Sequence, residues 1–259
     1  MLGKSSLKSQ FTSIRTLALL EILSQAETPP TLSELAYRTG IPKSTAMRLI
    51  HRLEHNGYIV RLAQNKHKLL PGPKLTHFAL MALQSSSTEG ACNSILRKLV
   101  AEIKESCNLT VLINEQVQYI ARVEDTTKLR LQLHMEIGAR VPLHCTASGK
   151  LFLALMESTE RDILLSRASM TQFTPKTITD HNALVRQLEN IRKRGIGIDE
   201  EEFVRGMVGI ALPVIDSRER VVAALACHAP TAESTLTHLF QAVPRMRKSV
   251  RQLSTILTA

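Results

Sequence analysis

The sequence predicts an α+β protein in two parts: an N-terminal winged helix-turn-helix, then an α+β domain with a mostly antiparallel sheet. Three observations carry this. Between Leu32 and Asn56 a helical pattern, a glycine turn and a second helical pattern follow one another, with two short extended stretches directly behind them. From about Leu109 onward, extended stretches come in runs flanked by helices, the arrangement of an α+β fold rather than of an alternating parallel one. Charge is also uneven: Met1 to Leu75 holds 11 basic and 4 acidic residues, so it carries +7 of the net +10. A basic first third on a nearly balanced remainder points to a polyanion-binding module attached to something else.

The first helical pattern spans 13–26, with Ile14, Leu17, Ala18 and Ile22 recurring on one face. Pro29-Pro30 interrupts it. Thr31, with Glu34 three residues later, has the spacing of a capping box, in which a hydroxyl and a carboxylate satisfy backbone N–H groups left open at a helix start. A second helix therefore runs from Leu32 to Thr39 and stops at Gly40, which reaches the left-handed conformation without steric cost. A third opens near Pro42 and ends by Asn56. Its Ala46, Leu49, Ile50 and Leu53 share an inward face, while Ser44, Met47, Arg48, His51 and Arg52 point out. Gly57 stops it. Extended stretches at 58–62 and 67–70, joined by Ala63-Gln64-Asn65-Lys66, predict a hairpin wing with a basic tip. Leu75 to Leu83 reads as a connecting helix, and Ser85-Ser86-Ser87-Thr88 is the most linker-like stretch. The expected boundaries are a winged domain over 1–72, a linker helix over 73–88 and a second domain over 89–259.

That second domain opens with a helix over 88–106. Strands are expected at 109–113 and 117–123, turning at Asn114-Glu115, and at 129–135, where Leu129, Leu131, Leu133 and Met135 alternate with polar residues. Helices follow at 147–156, 159–166 and 182–194, then strands at 197–202, 208–215 and 221–228, the last two joined at Ser217. A helix from about Thr235 closes the chain.

Composition narrows the function classes. With 44% apolar and 22% charged residues the chain can bury a core. The four cysteines are scattered without a CxxC, so neither a disulfide framework nor a zinc knuckle is expected. The sequence lacks an apolar run of about 18 residues and starts polar, which predicts a cytoplasmic protein with no membrane partner. Aromatics are 3%, too few for stacking on single-stranded bases. Double-stranded DNA is the expected partner. Ala36 supplies the small residue where two helices touch, Gly40 the turn, and Ile41, Ala46 and Leu49 the positions that fix the second helix. On its outer face Arg48 suits guanine O6 and N7, while Lys43, Ser44 and Thr45 suit phosphates or base edges. Arg52 adds a cation, and Lys66 and Lys68 on the wing are expected on phosphates. Sites read by such domains are usually two-fold symmetric, so at least a dimer is expected, through the 13–26 and 75–83 helices.

The same residues carry a resemblance. Ser13-Ile14-Arg15, Leu32-Ser33-Glu34-Leu35-Ala36 and the run from Gly40 to Leu49 resemble the DNA-binding domain of the IclR family of bacterial regulators. The run from Gly138 to Lys150, including Leu143-His144-Cys145-Thr146-Ala147-Ser148-Gly149, is similar to that family's loop and helix start. Gly195 to Glu202 and Gly209 to Asp216 resemble its C-terminal signature. The resemblance implies a GAF-like effector domain, homodimers that pair into homotetramers, and small organic-acid effectors that control operator binding. It places effector contacts on Ala147, Ser148, Asp199, Met207, Gly209, Ala226 and His228, with Leu133 on the apolar side. Gly209 stands where the family usually has Cys, Ser or Ala, Ala226 and His228 where some members have hydroxyls, and Ile215 replaces a more usual aromatic or histidine. These departures imply a different, larger ligand. Its carboxylate is expected at the start of the Ala147 helix, where free N–H groups and partial positive charge gather. A protonated His228 is expected to assist, so that affinity weakens as pH rises through its titration. Asp199 is expected to accept from a ligand hydroxyl or to hold a loop.

A reading of another class is a metabolic enzyme whose winged helix targets it to DNA; a third is a ligand-free structural DNA-binding protein. His144-Cys145 invites a thiol nucleophile, but adjacent residues on an extended chain point apart. Ser148-Gly149-Lys150 resembles the end of a phosphate loop, yet His144 and Leu151 occupy two of its required positions. Asp199-Glu200-Glu201-Glu202 suits either a hard cation or, better, a solvated strand edge. A zinc site from His134, Cys227 and His228 lacks ligand spacing. No cofactor or metal is expected.

Overall fold

The computed structural model describes residues 12–26, 28–83, 86–113, 115–125 and 135–258, and divides into two units, 1–81 and 82–259. In the first, α1 (Thr12–Ser24), α2 (Leu32–Thr39) and α3 (Lys43–His55) precede a hairpin of β1 (Ile59–Leu62) and β2 (Asn65–Pro71), and α4 (Pro73–Leu83) leads out. The capping box forms as its spacing requires: the Thr31 hydroxyl accepts from Glu34 N, and Glu34 accepts from Thr31 N. Gly40 takes φ 68°, and its N–H donates to Tyr37 O. Pro42 is the residue before the first turn of α3. Leu35, Ile41, Ala46, Leu49, Ile50 and Leu53 pack with Leu19, Leu23, Ile59 and Leu69 into one core.

One expectation, the length of the wing turn, fails in this unit. Leu19 and Leu23 are the buried residues of α1, while Ile14 and Leu17 are exposed. The helix carries two apolar stripes, and periodicity cannot say which one meets α2. The wing turn is shorter than expected: Leu62 pairs with Asn65, so Ala63-Gln64 alone make the turn, and Lys66 lies in the strand. A register shift between Arg61 and Leu62 absorbs the difference.

The second unit holds a six-stranded antiparallel sheet in the order β5-β4-β3-β8-β7-β6. Its strands are β3 (Ser106–Ile113), β4 (Gln116–Val123), β5 (Arg140–Val141), β6 (Gly197–Glu200), β7 (Met207–Ile215) and β8 (Val221–Pro230). The helices are α5 (Ser86–Ile103), α6 (Ala147–Leu155), α7 (Ser158–Arg167), α8 (His181–Arg194) and α9 (Leu236–Leu257). α5 and α9 pack together and against the sheet, and α6 packs on α8 and on β6, β7 and β8. Leu151, Leu153, Leu184 and Leu188, all fully buried, centre the core.

The expected helix over 88–106 stops at Ile103, because Lys104 adopts φ 57°, and Ser106 already belongs to β3. β6 ends at Glu200 rather than Glu202, because Glu201 turns to φ 62°. The two-residue β5 has too little length for an alternation pattern to reveal it. Of the strand expected at 129–135, residues 129–134 lie outside the described residues, and Met135 belongs to no strand. All four cysteines are buried free thiols, and Cys107 faces Cys227 across β3 and β8. Burial pushes the thiol of Cys227, like that of Cys107, above its ordinary range.

Candidate functional site

On α3, Lys43, Ser44, Met47, Arg48, His51 and Arg52 are exposed and Thr45 is half-buried, the reverse of the buried Ala46, Leu49, Ile50 and Leu53. The two wing lysines differ. Lys66 is exposed, and its carbonyl accepts from Arg61 Nη1 at 2.7 Å. Lys68 is half-buried, bridges Thr31 through its backbone, and lies 3.4 Å from Glu34 Oε2. Glu34, held below the usual carboxylate range by hydrogen bonds from Thr31, thus caps α2 and draws the Lys68 charge inward. Arg61 likewise makes a two-pronged pair with Glu54, at 2.6 and 2.9 Å. Part of the +7 is therefore spent inside the unit. Sequence reasoning misses Tyr37, 84% exposed, and Arg38 beside it. Their signal is available: with Leu35, Ala36 and Thr39 turned inward, the residues between them must face out.

The second unit contains a half-open pocket, about 500 Å³ with its solvent-facing mouth included, lined by Ala147, Ser148, Asp199, Met207, Gly209, Ala226 and His228. Leu133 lies outside the described residues. Register explains the assembly. Asp199 pairs with Gly209 across β6 and β7, and Gly209 with His228 across β7 and β8, so residues far apart in the chain stand in one row. Gly209 at its middle is closely packed: a Cβ there would stand 3.2 Å from Cys227 O and 3.5 Å from His228 Cβ.

α6 supplies the next wall. Thr146 caps it, accepting from Gly149 N at 3.1 Å and donating to Pro142 O at 2.7 Å. The N–H groups of Ala147 and Ser148 are first-turn donors that α6 itself cannot satisfy. Two glycines allow the close packing. A Cβ on Gly197 would stand 2.1 Å from Ala147 O, and one on Gly149 2.4 Å from Leu143 O.

The acidic run is not a solvated edge. Asp199 Oδ1 accepts from the N–H groups of Glu202 (2.8 Å) and Phe203 (3.4 Å), holding the loop that closes the cavity. Burial, above all, pushes Asp199 up to about 7, against the lowering pull of the Glu202 N–H and of Lys150. Glu202 is buried and paired with Lys150, whose Nζ also donates to Gln187 at 2.9 Å. Thr177 donates to Glu202 O at 2.6 Å, and Lys176 holds Glu201 at 2.7 Å. Of the four carboxylates, only that of Glu200 remains on an exposed residue.

The expectation of a protonated His228 is wrong. Burial, and then the positive charge of Arg122, push it down to about 3, so the ring is neutral. Its Nδ1 lies 3.2 Å from Asn108 Nδ2 and its Nε2 3.3 Å from Arg122 Nη2. Sequence reasoning also misses Asn108, Thr110, Tyr119, Val141, Thr146, Phe203 and Val204 in the lining. Ser106, Asn108 and Thr110 are polar at alternate positions of β3, whose other residues are apolar, a visible sign of one special face.

The nucleophile reading fails on geometry. His144 is buried with Nε2 2.9 Å from Thr171 O, and burial lifts the Cys145 thiol to about 12. Among the described residues, no group of three or more His, Cys, Asp and Glu is placed to hold a metal, and His134 lies outside them. Among those residues, too, no helix is long and apolar enough to cross a membrane.

A helix-turn-helix with an outward cationic face, on one chain with a sheet domain that holds a pocket lined by polar side chains, defines a ligand-responsive DNA-binding protein. Comparison with known proteins makes this specific. Residues 14–63 match the IclR helix-turn-helix domain, and residues 81–255 match the C-terminal domain of the bacterial transcriptional regulator IclR. The probable transcriptional regulator SauR of Cupriavidus necator is 36% identical over 245 residues, 95% of this chain and 96% of that one. The p-hydroxybenzoate hydroxylase transcriptional activator of Acinetobacter baylyi is 26% identical over 93% of this chain and 89% of its own. Among solved structures, a double mutant of the PobR inducer-binding domain from Acinetobacter, in complex with 3-hydroxybenzoic acid, superposes with TM-score 0.60 at 26% identity, over 64% of this chain and 97% of that one. Thermotoga maritima IclR shares the fold with TM-score 0.63 at 24% identity, over 96% and 99%. The chain belongs to the IclR family. It is a DNA-binding transcriptional regulator with a small-molecule effector domain, and the family's members are regulators, not enzymes.

Proposed function

We propose that the cavity at the start of α6 takes a small organic acid and that its occupancy changes the affinity of α3 for an operator. The observation that carries this reading is one pocket in which strand register brings the polar side chains of Asp199 and His228, on either side of Gly209, to the first-turn donors of Ala147 and Ser148. A carboxylate on those donors gains from the helix dipole and from hydrogen bonds strengthened by charge. The hydroxybenzoic acid held by the PobR domain belongs to the same chemical class. A ligand shifts DNA affinity only by its differential preference between two states of the protein, and α4 is the element that leads from one unit toward the other.

On DNA, Arg48 reads a base while Lys43, Ser44, Thr45, Arg52 and Lys66 position the duplex, with Lys68 a weaker contributor because Glu34 holds it. The working division is a DNA-binding part over 1–72, a linker helix over 73–88 and an effector part over 89–259. The protein acts in the cytoplasm as a dimer or tetramer. Ile14 and Leu17 on α1, with Phe78 and Met81 on α4, are large exposed apolar side chains suited to contact between copies. A thermal-shift screen of organic acids tests the sensor: at about 100 times its Kd a ligand stabilises by roughly 2.7 kcal/mol. The acid found should alter operator binding in fluorescence anisotropy, and Ser148→Leu should abolish both effects. Full affinity in that variant would place the sensor elsewhere.

A further inference from the structure

His228 sits between two partners on neighbouring strands. Asn108 on β3 pairs in register with Arg122 on β4, and both approach the His228 ring from β8. Arg122 also holds Glu124 at 3.1 Å, which anchors its guanidinium. A guanidinium carries donors only, so Nε2 of His228 must accept from it. A second positive charge on the ring would face that guanidinium at 3.3 Å, and burial opposes it as well, so the imidazole is neutral. A neutral imidazole that accepts at Nε2 carries its proton at Nδ1, which therefore donates. On Asn108 the group able to accept that proton is the amide oxygen, so the network assigns Oδ1 to the position 3.2 Å from Nδ1 that Nδ2 occupies, and the amide is flipped. The amide NH₂ is then turned away from the ring, toward the cavity that Asn108 lines.

We propose that Arg122, His228 and Asn108 form a hydrogen-bond relay presenting the Asn108 NH₂ as a donor to the effector, which is therefore an acid carrying a second acceptor oxygen, a carbonyl or a further carboxylate. This rests on the reading of the cavity as the effector site and adds a second recognition point to it. Arg122 and His228 are positioning residues, and Asn108 makes the contact. Asn108 is only 3% exposed, so a ligand without an acceptor leaves a buried donor unpaired. Sites built around such a donor reject analogues that lack the matching group far more strongly than apolar pockets reject a missing methylene.

Two experiments on the full chain decide it. Long-range nitrogen NMR on histidine-labelled protein, with His228 assigned through His228→Gln, needs no ligand. The relay expects neutral His228 with its proton on Nδ1 at pH 7, and a mixed or reversed tautomer in Arg122→Met. A proton on Nε2, or an imidazolium, in the wild type overturns it. Calorimetry then uses two matched probe pairs, 4-oxopentanoate against pentanoate and succinate against butyrate. The member with the extra oxygen should bind about tenfold or more tightly. Asn108→Asp keeps the bond from Nδ1 but replaces the donor by an acceptor, so the preference should disappear or reverse. A preference unchanged in Asn108→Asp, or absent from the wild type, overturns the relay, and binding of none of the four acids overturns the ligand class. Ser148→Leu separates the two readings: full affinity there refutes the cavity as the effector site, while the tautomer result still decides the relay.

Discussion

Lys150→Met tests whether the cavity wall is held by a buried charge pair. Lys150 has no exposed side-chain surface and Glu202 3%, and Glu202 Oε2 has no hydrogen-bond partner. Methionine fills nearly the volume of lysine, so the cost comes from charge and not from a void. Removing one member of a buried pair costs about 3–5 kcal/mol, because the other charge stays behind without its counterion. Gln187 can rotate its NH₂ toward Glu202, recovering about 1 kcal/mol. The expected loss is therefore about 3 kcal/mol, which for a unit of this size lowers Tm by roughly 6–12 °C. Urea and thermal melts measure it. The double variant Lys150→Met/Glu202→Leu should recover most of the loss, since an apolar replacement leaves no orphan charge. A single variant within about 1 kcal/mol of wild type, or a double variant as unstable as the two singles added, would refute the reasoning.

Three further outcomes follow from the same geometry. Arg48→Ala should cost about 1–3 kcal/mol of operator affinity and relax preference at one base pair per half-site, read by anisotropy on a set of operator variants; an unchanged preference would remove α3 from base readout. Lys66→Ala should lower the salt slope of DNA binding by roughly one and Lys68→Ala by less, because Glu34 already holds Lys68; equal changes would show that pairing to be immaterial on DNA. Asp199 titrates near 7, above its ordinary value, so it is neutral below that pH and an anion above it. An acid effector should therefore bind more weakly as pH rises through about 7, with His228 neutral throughout, and the same raised titration makes Asp199's contribution to stability fullest below about 4 and lost on rising through about 7. Asp199→Asn should flatten the binding profile, and an unaltered pH dependence in that variant would assign it to another group.

Much of the first unit is legible because its punctuation is local. Thr31, Glu34 and Gly40 fix α2 to the residue, and the 3.6-residue period separates Arg48 from Leu49 without knowledge of any neighbour. Choices between neighbours are not legible: the two stripes of α1 are equally apolar, and only packing against α2 buries Leu19 and Leu23. In the second unit Ala147, Ser148, Asp199 and His228 are reached through family likeness, whereas their meeting depends on strand register. The ionisation of His228 cannot be read from the chain at all, since it depends first on burial and then on Arg122, 106 residues away. Nor could spacing reveal that Glu202 turns inward, which needs the left-handed turn at Glu201 and a lysine on another element.

The four free thiols give the molecule a built-in gauge of its own opening. Alkylating reagents attack the thiolate, and Cys107, Cys145 and Cys227 are kept protonated and out of reach while the fold is closed. Between them they report on three seams: Cys92 on α5, Cys145 beside the cap of α6, and Cys107 with Cys227 on the middle strands of the sheet. Labelling rates followed residue by residue would then map local opening free energies without any engineered probe. Slower labelling of Cys145 on adding an effector, with Cys107 unchanged, would mark the cavity mouth as the part of the domain that tightens.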